Sequence, residues 1–113
     1  MAEPRLPAGF QLEAGESVIR TGKDWGISLN PLILTSQRLI CPVDPSTRAY
    51  VSIRLSDIRD VRLRKPMFGF NTVIVDYGEE QQASFPAHIN AARIRQEIRE
   101  AVKAQHPRIS REP

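Results

Sequence analysis

The sequence predicts a mainly β, α+β domain: seven short antiparallel strands followed by one C-terminal helix. Three observations carry that expectation. Apolar residues recur with period 2 in short runs between residues 18 and 85, the pattern of half-buried antiparallel strands. Turn-forming residues punctuate those runs. The period then changes to 3.6 near the end of the chain, where an apolar stripe marks a helix.

The β-branched residues Val18, Ile19 and Thr21 open a first strand within Glu16 to Lys23. Gly22 and Gly26 bracket a turn holding Lys23, Asp24 and Trp25. Pro31 can start a strand but not occupy the middle of a central one, so the second strand runs from about Leu32 to Thr35. Two apolar runs, Leu32-Ile33-Leu34 and Leu39-Ile40-Cys41, flank four polar residues. They read as a tight hairpin turning through Thr35, Ser36, Gln37 and Arg38. Residues 42–47, with Pro42, Asp44 and Pro45, form a loop.

Strand four alternates cleanly, with Ala49, Val51, Ile53 and Leu55 on one face. Strand five turns Val61 and Leu63 inward and Asp60, Arg62 and Arg64 outward. Strand six sets Val73, Val75 and Tyr77 against Thr72, Ile74 and Asp76. Gly78-Glu79-Glu80 makes a turn, and strand seven runs from Gln82 to Phe85 before Pro86. Asn90 can cap the helix that follows. Ala91, Ile94, Ile98, Ala101 and Val102 share its apolar stripe, while Arg93, Glu97, Glu100 and Lys103 lie largely off it. Pro107 ends the helix at or before His106.

At 113 residues the chain suits one domain. It divides into a flexible N-terminal arm over 1–13, a folded body over 14–105 and a C-terminal tail over 106–113. A net charge of +3 neither requires nor excludes an anionic partner. The charge is patterned, however: residues 38–65 hold seven basic groups against three acids, and residues 66–89 hold only acids. A single cysteine, Cys41, cannot close an internal disulfide, which favours a reducing compartment. It falls in an apolar strand and reads as a small buried hydrophobe. The N-terminus lacks an apolar signal core and no apolar run approaches the ~20 residues of a membrane span. The expected location is the cytoplasm, with peripheral attachment at the membrane inner face as the alternative.

The order of elements, with the Leu34-Thr35-x-x-Arg38-Leu39 hairpin and the Ile53-x-Leu55-Ser56-Asp57-Ile58 link into strand five, resembles the GRAM and bacterial pleckstrin-homology-like family across residues 15 to 105. The resemblance implies a seven-stranded antiparallel barrel or split sheet capped by one C-terminal helix. It also implies a binding module rather than an enzyme. Lipid-binding members meet the headgroup with basic residues at the end of strand one, in the first loop and on strand two. Here only Lys23 matches, and residues 26–37 contain no Lys or Arg.

The residues themselves point away from catalysis. His88 and His106 are separated and flank the helix, and neither they nor Cys41 belongs to a convergent titratable set. No metal-ligand cluster or phosphate-binding glycine loop is present, so no cofactor or metal is expected. The candidate contact residues are Arg62, Arg64, Lys65, Met67 and Phe68, with Lys23 and Trp25 in the first loop. Arg62 and Arg64 could be a solvated strand face or the basic rim of a contact site beside an apolar tip at Met67, Phe68 and Phe70. Trp25 could anchor at a surface or plug the core. Few aromatics accompany the basic residues, which disfavours nucleic acid. The expected work is a non-enzymatic binding or scaffold role, joining a protein partner or copies of the chain. The alternative is attachment to anionic membrane lipid.

Overall fold

The computed structural model describes residues 11–26, 32–43, 49–65, 71–87 and 90–105. Its strands are β1 (Val18–Thr21), β2 (Ile33–Thr35), β3 (Arg38–Pro42), β4 (Tyr50–Arg54), β5 (Ile58–Arg64), β6 (Thr72–Tyr77) and β7 (Gln81–Pro86), followed by helix α1 (Ala91–Gln105). Single 3-10 turns at Lys23–Trp25 and Leu55–Asp57 join β1 to β2 and β4 to β5. The expected apolar tip with Met67 and Phe68 lies outside the described residues. So do His88, His106, and residues 1–10 and 106–113.

The strands form two antiparallel sheets, ordered β1-β2-β3-β4 and β5-β6-β7. Among the described residues they do not close into one barrel. The sheets meet at a corner where the Ser84 amide donates to the Val43 carbonyl at 3.2 Å. At the other junction the Leu55 amide donates to the Gln37 carbonyl at 3.0 Å. Between them lies the core, built from Leu34, Leu39, Ile53, Leu55, Val61, Val73, Val75 and Phe85. Helix α1 closes it with Ala91, Ile94, Ile98 and Ala101 buried and Val102 packed at the margin. These positions recur at the spacing that puts them on one side of an α-helix.

The β2–β3 hairpin is tighter than the pattern suggests. Thr35 and Arg38 end the two strands and are buried, so the turn proper is Ser36–Gln37. Thr35 Oγ1 accepts the Gln37 and Arg38 amides at 3.1 and 2.9 Å, which closes the turn from inside. It also donates to Glu16 Oε2 at 2.5 Å. The Arg38 guanidinium meets the same carboxylate at 2.8 and 3.1 Å and reaches the Gln11 carbonyl. Burying a charge is costly without paired hydrogen bonds. Glu16, Thr35 and Arg38 satisfy one another and pin residues 11–16 against the first sheet. The Arg54–Glu13 pair at 2.9 Å adds a surface tie to the same segment.

Candidate functional site

The first-loop residues divide. Trp25 is fully buried, so its ring plugs the core and offers no surface to a membrane or partner. Its indole N–H donates to Glu97 Oε1 at 2.7 Å, and its carbonyl accepts the Asn90 side-chain amide at 2.7 Å. Glu97 also takes Arg20 at 3.1 Å and Arg93 at 3.2 Å. Burial pushes the Glu97 carboxyl up, but hydrogen bonds from Trp25 and Arg93 and the charge of Arg20 outweigh it and hold the group below its ordinary range. Lys23 is exposed on the same 3-10 turn.

The strand-five candidates occupy a different flank of α1. Glu97 and Arg99 are two residues apart, about 200° around a helix. Glu97 ties α1 to the first loop, whereas Arg99 reaches β5. Arg62, Arg64 and Lys65 are all exposed, and Arg62 and Arg64 share the outward face as their spacing requires. That face is less basic than its composition indicates. Arg62 is held bidentately by Asp76 on β6, at 2.7 and 3.0 Å. The Arg62 hydrogen bonds in turn hold the Asp76 carboxyl below its ordinary range, against the opposing effect of burial, with help from the charges of Arg62 and Arg59. Asp60 pairs with Arg99 at 3.2 Å. Arg59, Arg64 and Lys65 make no direct ion pair among the described residues, although the Arg59 charge acts on Asp76 from a distance.

β5 is an edge strand, bonded to β6 on one side only among the described residues. Its outer side is visible at Val61. The Val61 amide donates to Asp60 Oδ1 at 2.8 Å, and its carbonyl accepts Arg99 Nη2 at 2.9 Å. Both backbone groups therefore point away from β6 and are met by side chains. Antiparallel ladders alternate residue by residue, so the Leu63 backbone N–H and C=O face the same side, away from β6, where no strand pairs among the described residues. Beside this edge a cleft of about 170 Å³ runs between β5 and α1, lined by Ile58, Arg59, Asp60, Val61, Arg99 and Val102. Its floor is apolar and its rim is charged.

Three residues of this geometry escape a reading of the strand pattern alone: Asp60 and Arg99, which clasp the Val61 backbone, and Asp76, which neutralises Arg62. The alternation does place Asp76 on the outward face, but the β5–β6 register that sets it diagonal to Arg62 is not written in local sequence.

Among the described residues no helix is long and apolar enough to cross a membrane, and no group of three or more His, Cys, Asp or Glu side chains is arranged to hold a metal. Compared with protein-family models, curated proteins and solved structures, the chain finds no match in any of the three.

Proposed function

We propose that this chain is a non-enzymatic, pleckstrin-homology-like protein-interaction module that takes up an extended segment of a protein partner along the outer edge of β5. The pleckstrin-homology-like reading draws on the four-stranded and three-stranded antiparallel sheets and the helix that closes them. The observation that carries the functional reading is the Val61 backbone. Its N–H and C=O lie on a strand edge that is unpaired among the described residues, and they are met there by side chains that are themselves about half exposed. Main-chain hydrogen bonds along such an edge give affinity, and neighbouring pockets give side-chain selectivity. Attachment to anionic membrane draws less support, since Trp25 is buried and Arg62 is already paired with Asp76.

Panning a random dodecamer peptide library against the folded protein tests this reading. Selected peptides should slow hydrogen exchange at the Leu63 amide. They should bind Leu63→Ala, which keeps the N–H, and lose affinity for Leu63→Pro, which removes it. Peptides that leave the Leu63 amide unprotected, or a library that yields no binder to this edge, would overturn the proposal.

A further inference from the structure

Resting on that edge-binding reading, we infer that the segment taken up is acidic and alternating, with one apolar side chain seated in the cleft between β5 and α1 and a carboxylate that takes Arg99 from Asp60.

The cleft has room for a single large apolar side chain, not for a folded element. Ile58 and Val61 are buried beneath it and Val102 packs at its margin, so the floor favours an apolar group. Arg59 and Arg99 stand at the rim. Side chains of an added strand alternate between its two faces. If every second residue faces α1 and the cleft, the residues between them run beside the outward row of Arg62 and Arg64. One strand thus needs apolar residues on one face and anionic residues on the other.

The charge along this edge decides the sign. Asp76 is committed to Arg62, and Arg59, Arg64 and Lys65 make no direct ion pair among the described residues. The Asp60–Arg99 pair lies across the Val61 groups that an incoming strand would use. Its side chains are 50% and 46% exposed, and an ion pair so solvated is readily exchanged. A partner carboxylate that draws Arg99 outward takes it off both the Val61 carbonyl and Asp60, and Asp60, without Arg99, yields the Val61 N–H to the incoming strand. A basic segment would meet uncompensated like charge along the strand.

The dodecamers selected in the panning above serve as the probe. Asp and Glu should be enriched at alternate positions around one apolar residue. The Arg59→Gln/Arg99→Gln variant should weaken these peptides about tenfold or more, and Asp60→Asn should tighten them, because the competitor for Arg99 is gone. Raising salt should weaken binding to the parent protein more than to the double variant. Peptides that protect the Leu63 amide yet show no acidic excess, or bind the double variant equally well, would overturn this inference and leave the edge reading standing. A library in which nothing engages Leu63 removes both. A dimer of the unliganded protein that becomes monomeric on Leu63→Pro substitution would make a second copy the occupant and overturn the acidic partner. Thermal unfolding of each variant establishes that the fold persists.

Discussion

Trp25 and Glu97, 72 positions apart in the chain, meet through a 2.7 Å hydrogen bond from indole to carboxylate. A buried indole N–H needs an acceptor, and this one comes from a helix residue outside the apolar stripe. Glu97→Ala should therefore cost about 1–3 kcal/mol, the penalty for leaving a buried donor unmade. Glu97→Gln retains an acceptor oxygen and should cost less. Denaturant unfolding of the two variants measures the difference. Equal stability of Glu97→Ala and the parent would show that the indole finds another acceptor.

Acid should unfold the protein through Glu16, Asp76 and Glu97. Burial pushes Glu16 up, but hydrogen bonds from Arg38, Thr35 and the Glu13 amide, with the Arg38 charge, bring it below its ordinary 4.5. Asp76 and Glu97 are lowered as well. A group whose folded value is depressed contributes stability above its unfolded value and loses it as pH falls through the folded one. Stability should thus be level near neutrality and decline as pH drops below the ordinary carboxylate range. Glu16→Gln should lower the neutral plateau by about 3 kcal/mol, since it breaks a buried ion pair, and should flatten the acid slope. Denaturant titrations at descending pH decide this, and a slope unchanged by the substitution would count against Glu16 as a source.

Packing on α1 should be uneven along its stripe. Ile98 is fully buried and Val102 only partly so. Ile98→Ala should cost about 2–5 kcal/mol, a loss of burial plus the cavity left behind, and Val102→Ala clearly less. Equal effects in thermal unfolding would mean that the helix does not sit on the sheets as described.

Cys41 should resist modification while the protein is folded. Burial pushes its thiol up to about 12, and the reactive species is the thiolate. At pH 8 a thiol reagent should label it only as fast as the structure opens. Rapid labelling under native conditions would contradict its placement in β3.

Much of the architecture is legible locally. Alternation in Val61 and Leu63, or Val73 and Val75, needs only neighbours in sequence, and the recurrence of Ile94 and Ile98 marks a helix face without further information. Polar residues are legible only to the extent that their partners are near. Thr35 and Arg38 look like turn residues because the carboxylate that allows them to be buried, Glu16, comes from before β1. Glu97 falls off the apolar stripe and reads as solvated, yet it gathers Trp25, Arg20 and Arg93 from both ends of the domain. Arg62 and Arg64 face outward as their spacing dictates. That Asp76 neutralises Arg62, while Arg64 has no carboxylate partner among the described residues, follows from strand register, which no short-range pattern specifies.

The ties between α1 and the first sheet bear on the order in which the molecule can be made. Arg20 and Trp25 wait for Glu97, and the Ser36 carbonyl waits for the Gln105 side chain, across separations of 77, 72 and 69 residues. Contacts so remote in sequence must close long loops before they return any stability, which slows folding. A chain emerging from the ribosome has β1 to β4 in hand long before the helix that supplies Glu97 and Gln105 exists. Through most of its synthesis the first sheet lacks these ties, and the last fifteen residues of the described structure supply them.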